Sequence, residues 1–112
     1  MDKKLNSIIN TLGKINAKEL KIYETKNSTP FFDYVVIATV ASNRQLSAFA
    51  SNIKEEASKE NFNIKGIEGK YSSEWVLVDL ENILVNVFTL EARNNFDLDK
   101  IWKNLPQVDI KE

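Results

Sequence analysis

The chain contains no cysteine and no histidine. The first absence excludes disulfides, thiolate metal sites and a cysteine nucleophile. The second removes the usual general base and the commonest metal ligand. Glycine and proline are scarce, three and two in 112 residues. With no linker, repeat or low-complexity tract in view, one domain over residues 1–112 is expected. Charge of one sign is also lacking: 15 basic residues face 16 acidic ones, a net charge of -1. No global field therefore draws the chain to nucleic acid or anionic lipid. The opening "MDKKLNSIIN" has no apolar core of a signal peptide, and no apolar run approaches the roughly 18 residues of a membrane span. The expectation is a cytoplasmic protein with no membrane partner. Carboxylates, lysines and hydroxyls are what remain for chemistry.

Hydrophobic residues make up 43% of the chain, enough for a core without metal or disulfide staples. In "KKLNSIINTLGKI" the spacing of Leu5, Ile8, Ile9, Leu12 and Ile15 predicts a helix with one buried stripe. "KELKIYETK" alternates Leu20 and Ile22 with Lys21 and Tyr23, a half-exposed strand closed by the turn-forming "NSTP". From Tyr34 to Val40 the chain is almost continuously apolar and rich in β-branched residues, as in a central strand covered on both faces. Ser42 and Gln45 form a capping box, and Leu46, Phe49, Ala50, Ile53 and Ala57 continue as a helical stripe. Lys54, Glu55, Glu56 and Lys59 lie mostly outside it, as a solvated face. A short strand follows around Ile64 to Glu68, then a loop between Gly66 and Gly69, a hairpin, a short turn of helix, and a last helix carrying Leu98, Ile101, Trp102 and Leu105. The order α-β-β-α-β-β-β-α gives an α+β, or mixed α/β, fold: a mixed sheet of about five strands with helices packed on one face.

The hairpin "WVLVDLENILVNVF" is the most informative stretch. A turn at Glu81-Asn82, where Asn tolerates positive φ, opposes Leu80 to Ile83, Val78 to Val85 and Val76 to Val87, all on one aliphatic face. The other face then carries Trp75, Leu77, Asp79, Leu84, Asn86 and Phe88. Burying the aliphatic face is favoured by roughly 1.5–3 kcal/mol per side chain, whereas Asp79 and Asn86 would be buried at a cost. The mixed face is therefore expected to look outward. It is either an aromatic cross-strand pair, Trp75 on Phe88, shielding a rim, or a contact surface for another macromolecule; Tyr71 adjoins it.

Two further signals point to chemistry. Asp79 and Glu81 form a D-x-E spacing that on a strand aims both carboxylates one way, as for a shared magnesium ion in nucleotidyl transfer; the competing reading is a solvated strand end. "SNRQ" at the second helix start offers free N–H groups and Arg44 to an anion, although capping alone explains Ser42 and Gln45.

Three blocks, "FFDYVVIATVASNRQLSAFASNIKEE", "GIEGKYSSEWVLVDLENILVNVF" and "EARNNFDLDKIW", resemble the ribosomal silencing factor (RsfS, or Iojap-like) family from about Leu20 to Trp102. Asp33, Tyr34, Ile37, Ala38, Thr39, Ser42, Asn43, Arg44 and Gln45 match the first block of that pattern. Glu74, Trp75, Val76, Leu77, Asp79, Val85, Val87 and Phe88 match the second. Glu91, Arg93, Asp97, Leu98 and Trp102 match the third. The resemblance implies a nucleotidyltransferase-like fold without the activity, no cofactor and no metal. It further implies binding to the large ribosomal subunit through ribosomal protein L-fourteen, a block on subunit association that represses translation when nutrients run short, and a homodimer. Ribosomal RNA is a further partner to test. On this reading the partner-binding residues are Trp75, Leu77, Asp79, Asn86, Phe88 and Tyr71, with Trp75 and Leu77 as apolar anchors. The alternative is a magnesium-dependent nucleotidyltransferase using Asp79 and Glu81. The chain departs from the family pattern at Val40-Ala41, where Gly-Thr is usual, at Glu81, where a turn glycine is common, and at Asn86, where a histidine is usual. Asn86 matches the hydrogen bonding of a neutral imidazole but carries no charge near neutral pH.

Overall fold

The strand from Tyr34 to Val40 (β2) sits in the middle of a sheet and is buried at every residue after the first, as its apolar run requires. The structure, a computed structural model, describes residues 2–69, 74–96 and 99–108. Before β2 come helix α1 (Lys3–Lys14) and strand β1 (Lys18–Glu24). After it come α2 (Asn43–Glu60), β3 (Gly66–Glu68), β4 (Trp75–Asp79), β5 (Ile83–Thr89), α3 (Leu90–Phe96) and α4 (Asp99–Trp102). The sheet order is β1-β2-β5-β4-β3. β2 and β5 run parallel, joined by a connection that includes α2, and the other neighbours are antiparallel. The α+β class, the mixed sheet of five strands and the element order through β5 are those expected; the single closing α of that order is two short helices, α3 and α4.

Both long helices form for local reasons. Asp2 caps α1, its carboxylate accepting the Leu5 N–H at 3.1 Å. Ser42 and Gln45 close a full capping box on α2, which ends at Asn61 in a left-handed conformation with φ 58°. Their apolar stripes, Leu5, Ile8 and Leu12 from α1 and Leu46, Phe49 and Ile53 from α2, meet Val36, Ala38, Val76, Val78, Val85 and Val87 of the sheet in the main core.

The expectation that helices cover one face only is corrected. Tyr23, Val35, Ile37 and Phe88 make the opposite face apolar across β1, β2 and β5, and they pack with Ala92 of α3, Trp102 of α4 and Leu105. Leaving these side chains in water would cost roughly 1.5–3 kcal/mol each, so the short C-terminal helices close over them. Tyr23, expected to be exposed, is 1% accessible. Ile22 and Tyr23 are both buried because each face of β1 has its own cover.

Candidate docking face

The register of β4 and β5 is the one that the alternating sequence predicts, with Trp75 opposite Phe88, Val76 opposite Val87, Leu77 opposite Asn86, Val78 opposite Val85 and Asp79 opposite Leu84. Val76, Val78, Leu80, Ile83, Val85 and Val87 are all fully buried under the long helices. The turn differs in one detail. Positive φ falls on Glu81 (73°), not on Asn82. The Asn82 N–H donates back to the Leu80 carbonyl at 3.0 Å, closing a tight turn around Glu81. Asn82 is instead held by its side chain: Lys4 Nζ donates to Oδ1 at 2.9 Å and to the Leu80 carbonyl at 3.0 Å, and Nδ2 donates to Asp33 at 3.2 Å. Because Glu81 occupies a backbone region that suits glycine, Glu81→Gly is expected to raise stability by up to about 1 kcal/mol. Urea midpoints at constant slope measure it; a midpoint equal to or below wild type would contradict it.

On the opposite face the six mixed residues divide into two layers. Trp75, Leu77, Asp79 and Leu84 are half-buried. Asn86 and Phe88 are each 1% accessible, so the expectation that they look outward is corrected. Phe88 lies under Trp75, with ring centroids 5.1 Å apart and planes inclined by 22°. The Trp75 indole N–H donates to Asn86 Oδ1 at 3.2 Å. Asn86 Nδ2 is buried with no hydrogen-bond acceptor among the described residues. Asn86 and Phe88 thus form a seat that fixes the indole, and Trp75 covers them. The aromatic pair and the surface are both present: one side of Trp75 is packed and the rest, with Leu77 and Leu84, remains partly open around Asp79. Tyr71, and Asp97 and Leu98 of the third block, lie outside the described residues.

The two chemical signals fall on a turn and on a helix cap. Asp79 Oδ1 accepts the Glu81 N–H at 2.9 Å, capping the turn, and Glu81 lies exposed beyond the end of β4. No cluster of three or more carboxylates able to hold a metal occurs among the described residues. At the start of α2, Gln45 Oε1 accepts from the Ala41 and Ser42 N–H groups, while Gln45 Nε2 reaches the Ile15 carbonyl at 2.8 Å. Capping and a tie to the end of α1 account for that side chain.

A polar centre that the residue pattern did not reveal lies beneath α3 and α4. Arg93, 8% accessible, donates through Nε and Nη2 to both oxygens of Asp99, at 3.2 and 3.0 Å, and through Nη1 to Thr39 Oγ1 at 2.8 Å and to the Glu19 carbonyl. Glu19 has φ 50°, at an irregularity in the pairing of β1 with β2. Tyr23 adds a hydrogen bond to Asp99 at 2.9 Å. The family pattern had marked Thr39 and Arg93, but nothing in their spacing joins residues 54 apart. Burial pushes the Asp99 carboxyl up, but hydrogen bonds from Arg93 and Tyr23, with the charges of Arg93 and Lys21, outweigh it and leave the pKa below its ordinary 3.8. With the folded value below the unfolded one, the unfolded chain takes up the proton first. The stabilisation is complete above the ordinary value and is lost as pH falls through the folded one. Asp99→Asn is therefore expected to flatten the fall of stability with acid below about pH 4, measured by urea unfolding across that range. An unchanged acid slope would show that Asp99 is not coupled to folding.

Fold and face together define a small α+β protein whose mixed sheet is clad by long helices on one side and only partly by short ones on the other. The family model described as "Ribosomal silencing factor during starvation" matches residues 1–112, and the chain belongs to this RsfS family. It is 30% identical over 95 residues to a ribosomal silencing factor RsfS from Haemophilus influenzae, covering 85% of this chain and 93% of the relative. A crystal structure of a protein from Chromobacterium violaceum, 29% identical, superposes with a TM-score of 0.86 over 99% of this chain and 95% of that one. A more distant mouse relative, "Mitochondrial assembly of ribosomal large subunit protein 1", is 24% identical over 102 residues, covering 88% of this chain and 44% of the relative.

Proposed function

We propose that this chain silences translation by steric exclusion: it docks on the large ribosomal subunit through ribosomal protein L-fourteen and prevents the small subunit from joining. The observation that carries this reading is the β4 side of the sheet, where Trp75, Leu77 and Leu84 are only half-buried around Asp79, whereas Tyr23, Val35, Ile37 and Phe88 of the same face are buried. Such a patch, with an aromatic anchor, a polar centre and a rigid backing, has the composition of a protein-docking surface. Asp79 supplies a carboxylate to a basic group of the partner. Asn86 and Phe88 act through Trp75 by holding its indole in place. The large-subunit wording in the name of the mouse relative supports the choice of partner. No bond is made or broken, and a homodimer in the cytoplasm is part of the same proposal.

Sedimentation with purified large subunits, followed by a subunit-rejoining assay, tests it. Leu77→Glu is the cleaner probe, because it places a charge on the surface and leaves the aromatic seat intact. It is expected to weaken large-subunit binding by at least ~2 kcal/mol, about thirty-fold, with the circular dichroism spectrum unchanged. Trp75→Ala is expected to weaken binding as much and also to cost some stability, since it strips the cover from Phe88 and leaves Asn86 unpaired. Wild-type-like binding by Leu77→Glu would remove β4 from the interface. Magnesium-dependent turnover of a nucleoside triphosphate, abolished by Asp79→Asn, would replace the docking reading with the enzymatic one.

A further inference from the structure

The molecule carries a second polar surface that docking through β4 does not use. On the side of β1 facing α4, Lys21, Lys100 and Lys103 line a groove of about 440 Å³ with Tyr23, Asp99 and Gln107. A neighbouring groove of about 630 Å³ shares Lys21 and Asp99 with it and continues to Glu19, Leu20, Arg93 and Asn94; the Glu19 carboxylate lies 3.9 Å from Arg93. The three lysines come from two elements distant in sequence, β1 and the α4 region, and all three are exposed. None of them forms an ion pair among the described residues. The one carboxylate in the lining of the first groove, Asp99, is already engaged by both Nε and Nη2 of Arg93 and by the Tyr23 hydroxyl. A chain with a net charge of -1 thus gathers around one depression three exposed ammonium groups that have no ion-pair partner within 4.0 Å among the described residues, Lys21 lying near enough to Asp99 for its charge to be felt there.

Resting on the large-subunit reading above, we infer that this lysine groove is a second contact with the subunit, made to the phosphate backbone of ribosomal RNA. Ammonium groups on flexible stems suit phosphate oxygens as point charges, without base selectivity. Among the described residues the groove offers no aromatic platform open for base stacking, because Tyr23 is buried and its hydroxyl is bonded to Asp99. The contact is therefore one of charge and position: it adds affinity and fixes the orientation of the docked domain.

The test compares full-length wild type, the triple variant Lys21→Gln/Lys100→Gln/Lys103→Gln, and Leu77→Glu. Binding to purified large subunits is measured across a salt series, and binding to isolated large-subunit ribosomal RNA is measured in parallel. Losing three phosphate contacts is expected to weaken subunit binding at least ten-fold at low salt and to reduce the slope of log affinity against log salt by about 2. Affinity for the isolated RNA should fall with it, while Leu77→Glu leaves RNA affinity as in wild type. A triple variant with wild-type affinity and salt slope would overturn the groove while leaving docking through β4 standing. Weakened subunit binding with unchanged RNA affinity would place an acidic protein against the lysines and overturn the RNA assignment. Failure of wild type to bind large subunits at all would overturn both readings.

Discussion

Arg93→Met is expected to lower stability by about 3 kcal/mol or more, the largest effect of any single change away from the apolar core. The guanidinium is 8% accessible and joins three parts of the chain: the Thr39 hydroxyl of β2, the Glu19 carbonyl of β1 and the Asp99 carboxylate of α4. Removing it leaves a half-buried carboxylate with Tyr23 as its one remaining hydrogen-bond donor among the described residues, and takes a donor from the Glu19 carbonyl and the Thr39 hydroxyl. Methionine fills much of the volume, so the loss reports the polar partners more than a cavity. Arg93→Lys should recover less than half of it, because a single ammonium cannot serve both oxygens of Asp99 and also reach Thr39. Urea unfolding of the three proteins checks this. Arg93→Met within about 1 kcal/mol of wild type would show that the network costs as much to desolvate as it returns.

Gly69→Ala is the second large effect, expected at roughly 2–4 kcal/mol. Gly69 has φ +79°, and a Cβ added there would stand 2.3 Å from the Trp75 carbonyl oxygen and 3.3 Å from its carbonyl carbon. The obstacle is backbone at the first residue of β4, so no side-chain rotation relieves it. Either the loop approach or the start of β4 must shift, and Trp75 shifts with it. The variant is therefore expected to combine a lower urea midpoint with weaker large-subunit binding, although residue 69 lies outside the proposed interface. Retained stability would mean that β4 has freedom at its start, which would also loosen the seat beneath the indole.

The sequence made the hairpin register readable because strict alternation leaves one way to bury six aliphatic side chains together. It made α2 readable through a capping box followed by a stripe of five residues. What it concealed was depth on the second face. Asn86 and Phe88 sit among polar and apolar neighbours in an uninformative pattern, and their burial is decided by the Trp75 indole laid over them and, for Phe88, by the apolar cluster that includes Ala92 of α3 and Trp102 of α4. Tyr23 was hidden for the same reason: alternation along β1 says which side faces the long helices, not whether the other side is also covered. The D-x-E spacing by itself left a shared magnesium ion and a solvated strand end both open; the hairpin pattern already put Glu81 in the turn, and β4 does end at Asp79. Arg93 lay beyond this kind of reading altogether, since its partners meet only when β1, β2 and α4 are assembled.

The outer margin of β1 is stitched by the stretch that follows α4. The Glu24 N–H donates to the Pro106 carbonyl at 2.8 Å, the Val108 N–H to the Ile22 carbonyl at 2.9 Å, and Gln107 bridges Tyr23. That margin has no vacant ladder at Ile22–Glu24 for an incoming strand, and the opposite margin, β3, is only three residues long. Occupation of one edge at these residues and the shortness of the other leave crowded copies of this chain little ladder for fibrous stacking, and make pairing through side chains the readier route for two molecules.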